Sequence, residues 1–148
     1  MVITMHPIHP MIVHFPIALL ITSVAFDFVA LWWRSERFRE TAFSLLVLGL
    51  LSAGLAIVTG HVEEEAVEHG GIPERALEIH EMLGFATFWV FAIVLALRLA
   101  VHVGVIRDKH ILTLTLGIAG VMVLLAASYF GGDLVYGYGA GVLALTTR

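Results

Sequence analysis

The chain has no cysteine among its 148 residues. That excludes disulfides, iron–sulfur clusters, thiolate metal sites and covalent haem attachment through Cys-x-x-Cys-His. Charge is scarce as well. Asp, Glu, Lys and Arg make up 14% of the residues, against about 25% in a soluble domain. With 8 Lys and Arg against 12 Asp and Glu, the net charge is −4, which leaves no basic footprint for nucleic acid. What is present in excess is apolar: 59% of the residues are hydrophobic and the mean hydropathy is +0.96. Such a composition excludes disorder and points to an integral membrane protein. There are 8 histidines, as many as the permanent cations.

Four apolar stretches are long enough to cross a bilayer, which takes about 20 residues. They run over about 11–33, 41–60, 82–105 and 111–130. Lipid cannot satisfy backbone polar groups, so these segments should be helices. The connections are short, so neighbours should be antiparallel. The expected fold is an all-α transmembrane four-helix bundle, up-down-up-down, forming one domain over residues 1–148. No internal repeat is evident. The N-terminus lacks the basic region of a signal peptide, so the first span is expected to stay in the mature protein.

Lys and Arg placement gives the orientation. Arg34, Arg37 and Arg39 lie between the first and second spans, and Arg107 and Lys109 between the third and fourth. The remaining loop is acidic, with Glu63, Glu64, Glu65, Glu68, Glu74, Glu78 and Glu81 around Arg75. Both termini and this acidic loop are therefore expected on the periplasmic side of a bacterial inner membrane.

This topology sorts the histidines. His6, His9, His14, His61, His69 and His80 fall on the outer side, and His102 and His110 near the inner surface. His14 and His80 lie at similar depth on the first and third spans, which are diagonal in an up-down bundle. Imidazoles facing each other across a bundle can hold a b-type haem iron from both sides. His61, on the neighbouring span, is the alternate ligand, and His6 and His9 would line the pocket. A competing reading is a transition-metal site on His14, His61 and His80 with Glu65, since imidazole and carboxylate suit zinc, iron, nickel or copper(II). His61 and Glu65 share a helix face if the second helix extends outward. The plain alternative is that these histidines are interfacial residues with a wet ring tip, or groups that sense pH. His102 and His110 are expected at the inner interface. No Glu-x-x-His pair lies inside a span, against a ferritin-like di-iron centre.

Asp27 and Arg98 are the only fixed charges inside spans, and both fall at similar depth. A buried charge finds a partner or marks a pathway; an Asp27–Arg98 ion pair between the first and third helices is the first expectation, and a proton relay or a contact to a haem propionate or quinone the alternative. Small residues form ridges at Gly49, Ser52, Ala56 and Gly60 and at Gly120, Ala127 and Gly131. Such ridges let helices approach closely in lipid. Pro7, Pro10 and Pro16 stiffen the lead-in to the first helix. The segment Gly131-Gly132-Asp133-Leu134-Val135-Tyr136-Gly137-Tyr138-Gly139 follows the fourth span. Its glycines permit turns and left-handed backbone, and it is expected to cap the histidine rim.

Several of these segments together resemble a known family. His6-Pro7-x-His9-Pro10 followed by Phe15-Pro16-Ile17, then Phe26-Asp27, then His80, then Gly131-Gly132-x-Leu134-Val135-Tyr136 with Gly139-x-Gly141-Val142, are similar to the bacterial membrane domain called domain-of-unknown-function family 2231. The resemblance covers nearly the whole chain. It implies a four-helix fold in the bacterial inner membrane and assigns no activity.

Three functions follow as expectations. The first is a haem b electron carrier, or a subunit of a respiratory or photosynthetic complex, exchanging electrons with a quinone or a periplasmic redox protein. The second is transition-metal binding or transport. The third is a non-catalytic structural subunit of a larger membrane complex. No nucleophile–base pattern marks a hydrolase, so an electron carrier or accessory subunit is expected rather than a stand-alone enzyme.

Overall fold

The computed structural model describes residues 8–68 and 72–140, the side chains of 63–68 excepted. All regular structure among them is helical: α1 (His9–Ile12), α2 (His14–Trp33), α3 (Glu36–Glu68), α4 (Glu74–His102) and α5 (His110–Tyr136). The short α1 leads into α2, and together they make the first of four helices long and apolar enough to cross a membrane. α2 packs on α3 and α4 on α5, and the two hairpins meet through α3 against α4 and α2 against α5. The helices on the bundle diagonal, α2 and α4, meet through their side chains. Leu20, Leu46, Phe91, Val94 and Leu124 form the central core. Large apolar residues such as Leu51, Val58, Trp89 and Met122 stay exposed on the outer faces, as lipid-facing helices require.

The helices run past their apolar stretches. α3 continues to Glu68 and α4 begins at Glu74, so His61 and His80 lie within helices instead of at their ends. α5 continues through Gly131-Gly132 to Tyr136, where a turn-rich cap was expected. Gly131 is there for space: a Cβ would lie 2.7 Å from Cε1 of His80. Among the described residues of that segment only Gly139, with φ +76°, needs left-handed backbone.

The two hairpins are also a repeat, against the expectation from the bare sequence. Asp27 and Arg98 are 71 residues apart, and the same offset maps one hairpin's contacts onto the other's. Leu20 presses on Gly49, and its equivalent Phe91 on Gly120. His9 covers Gly60, and its equivalent His80 covers Gly131. The α3–α4 and α2–α5 packings are one contact under this relation. Such an arrangement is a parallel internal repeat, with its pseudo-two-fold axis along the bundle.

Candidate functional site

One end of the bundle brings two imidazoles together. The ring centres of His9 and His80 are 6.1 Å apart, with planes at 80°. Each ring is anchored on the outer helix of its own hairpin. His9 Nδ1 donates to the Ala56 carbonyl at 2.8 Å, and His80 Nδ1 to the Ala127 carbonyl at 3.0 Å, both across 47 residues. A carbonyl can only accept, so each Nδ1 carries the proton, and the neutral ring keeps its lone pair on Nε2. Metal-ligating histidines are held by this outer hydrogen bond, which fixes tautomer and ring orientation.

Gly60 and Gly131 make the anchoring possible. A Cβ at Gly60 would lie 3.0 Å from His9 Cε1, and one at Gly131 2.7 Å from His80 Cε1. Each ring thus turns its Nδ1–Cε1 edge against helix backbone, at a place where any larger residue would push it away. Thr59 breaks the equivalence of the halves, its hydroxyl lying 3.4 Å from His9 Nδ1 and donating to the Leu55 and Ala56 carbonyls.

The other expected residues are placed differently. His14 is exposed on α2 and does not face His80; His9 takes that position. His61 is exposed on α3, because the residue after Gly60 is turned about 100° round the helix from it. His6 and the side chain of Glu65 lie outside the described residues, as do His69, Gly141 and Val142. Among the described residues no group of three or more His, Asp or Glu could share a metal ion.

At the opposite end lies the buried charge. Arg98 Nη2 donates to Asp27 Oδ2, joining α4 to α2 across the diagonal as expected. His110, expected at the interface, is instead turned inward, with a side chain 13% exposed and Nε2 3.8 Å from Asp27 Oδ1. Its position is the repeat equivalent of Arg39. That arginine turns outward to Asp108 at 3.0 Å and Glu36 at 3.3 Å.

The roles of His9 and His110 were hidden in the sequence because helix phase, not depth, decides which histidine faces inward. The signal that finds His9 is the repeat, which makes it the equivalent of His80. No curated protein and no solved structure matches the chain. A family model does match, over residues 5–144, in line with the four apolar helices of a multi-pass membrane protein. The chain therefore belongs to the family described as predicted membrane protein, DUF2231.

Proposed function

We propose that this protein is a b-type haem-binding electron-transfer protein of the bacterial inner membrane, with His9 and His80 as the axial ligands. The neighbouring, carbonyl-anchored imidazole pair carries the proposal. With metal–nitrogen bonds of about 2 Å, two imidazoles on opposite sides of one ion have ring centres roughly 6 Å apart, in line with the 6.1 Å between His9 and His80. A bare divalent ion usually takes about four protein ligands. A porphyrin brings four nitrogens of its own and asks the protein only for axial ligands, which suits a pair of histidines with no third donor among the described residues.

The haem would supply one-electron chemistry. The chain's own residues hold the donors. Ala56 and Ala127 fix the Nδ1 protons, while Gly60 and Gly131 let the rings sit against α3 and α5. The repeat makes the two ligands equivalent.

The test is an absorption spectrum of protein purified in mild detergent from haem-replete cells, oxidised and then reduced with dithionite. The expected result is a Soret band with sharp reduced α and β bands. They should be lost or shifted in both His9→Ala and His80→Ala, and kept in His14→Ala. A colourless protein, or an unchanged spectrum in His80→Ala, refutes the proposal. A colourless protein with stoichiometric metal would favour a transition-metal site instead.

A further inference from the structure

We propose that Asp27, Arg98 and His110 form a proton-binding site at the end of the bundle opposite His9 and His80, where His110 takes up a proton on Nε2 and holds it against Asp27 Oδ1. This site is independent of the haem reading.

The carboxylate is only half satisfied. Arg98 donates to Oδ2, but Oδ1 is buried with no hydrogen-bond partner. His110 Nε2 is buried and without a hydrogen bond as well. The two orphaned atoms lie 3.8 Å apart, and the Asp27 side chain is 4% exposed. A buried carboxylate oxygen without a donor is costly, and in low dielectric its pull on a nearby proton is strong. A proton on Nε2 satisfies both atoms once the imidazole and the carboxylate close by about 1 Å, to a hydrogen bond of about 2.8 Å.

The surrounding charges permit uptake. The groups around His110 are Asp27 on α2, Arg39 on α3, Arg98 on α4, and Asp108 and Lys109 in the loop before α5. Arg98 is engaged with Asp27, and Arg39 with Asp108 and Glu36. The opposing terms are Lys109, Arg98 and the positive end of α5. Arg107, Asp108 and Lys109, which immediately precede His110, are exposed and place water next to the site on that side. On the other side the core of Leu20, Phe91 and Val94 separates it from His9 and His80. The proton therefore enters from and returns to one aqueous phase. In the balance, water-borne H⁺ adds to neutral imidazole, giving an imidazolium beside the carboxylate, and nothing else changes charge.

The experiment is nuclear magnetic resonance of the full chain in lipid nanodiscs with ¹⁵N-labelled histidine, followed across pH. The exposed His102, at the end of α4, is the internal reference. We expect protonated Nε2 of His110 to show the ¹⁵N shift of a nitrogen hydrogen-bonded to a carboxylate, which the exposed His102 does not show. Asp27→Asn should abolish that difference and Asp27→Glu should keep most of it. A His110 that stays neutral where His102 is fully protonated overturns the proposal, as does a ¹⁵N shift unmoved by Asp27→Asn. Should Asp27→Asn fail to fold, the wild-type comparison of His110 with His102 decides alone.

Discussion

Adjacent glycines on α5 should respond to the same substitution with opposite sign. At Gly131 a Cβ would lie 2.7 Å from His80 Cε1 and 3.1 Å from Nδ1; at Gly132 it would meet nothing within 4 Å. Ordinary carbon contacts are about 3.5–4.0 Å, so Gly131→Ala must drive the ring back by roughly 0.8–1.3 Å. Neighbouring α3 and the His9 ring, 6.1 Å away, limit that retreat. Overpacking of this kind costs about 1–3 kcal/mol, and stretching the His80–Ala127 bond from 3.0 Å adds about 0.5–1.5 kcal/mol. Alanine's helix propensity returns about 1 kcal/mol. The net for Gly131→Ala is a loss of about 0.5–3.5 kcal/mol. Gly132→Ala has only the propensity term and should gain up to about 1 kcal/mol. Gly60→Ala, where the contact is 3.0 Å, should fall between them. Thermal unfolding in detergent, followed by circular dichroism, gives the ranking. If Gly131→Ala is as stable as Gly132→Ala, His80 is not seated against α5 as described.

The repeat makes a paired prediction for the core. Leu20 and Phe91 are equivalent and both 0% exposed, so Leu20→Ala should cost about 2–5 kcal/mol and Phe91→Ala about 3–5 kcal/mol. A loss confined to one of them, measured by chemical unfolding, would mean the halves do not share the core. Ser23, 1% exposed, donates to the Ala42 carbonyl at 2.7 Å. Ser23→Ala should cost about 1 kcal/mol in the same assay, and a stabilised variant would show that this bond does not tie α2 to α3.

The number of helices, their membrane-spanning nature and the Asp27–Arg98 pair could all be read from the sequence, because each rests on one dominant energy. Unsatisfied backbone in lipid is too costly for anything but helices, and a lone charge at depth must find a partner. The histidine site was legible only in part. Depth along the membrane follows from counting, which puts His80 at the end of the bundle where His9 also lies. Facing direction depends on helix phase, and in helices apolar all round there is no amphipathic stripe to set that phase. His14 and His61 thus had the same claim as His9 until the packing of α1 on α3 turned His9 inward. Gly131 and Gly132 read as a turn because glycine's freedom and glycine's smallness leave the same mark in a sequence; only the position of His80 separates them. The repeat leaves little mark in the sequence because it is kept in contacts more than in residue types: Leu20 answers to Phe91, and Asp27 to Arg98.

That last pair shows what the repeat did not keep. Equivalent positions on α2 and α4 face each other across the pseudo-two-fold axis, so identical residues there would meet their own kind. Two histidines can do so at one end, since neutral imidazoles tolerate each other and can share a ligand. Two carboxylates or two guanidiniums cannot, and at the other end the residues are of opposite sign. The charge pair therefore specifies that the first hairpin packs on the second and not on a copy of itself, a use of buried ion pairs distinct from net stabilisation. A charge exchange tests this. Asp27→Arg alone places two guanidiniums together and Arg98→Asp alone two carboxylates. Each should lose about 3–5 kcal/mol, or drive the chain into dimers in which unlike partners can meet. The double variant restores opposite charges at the same pair of positions, and its new carboxylate lies on the half where Arg39 stands in the place of His110. It should recover at least about half of the loss of either single change, measured by thermal unfolding, and return to the wild-type oligomeric state on size-exclusion chromatography. A double variant no better than the worse single one would mean that local packing around Asp27, and not the pairing of opposite charges across the axis, holds the two hairpins together.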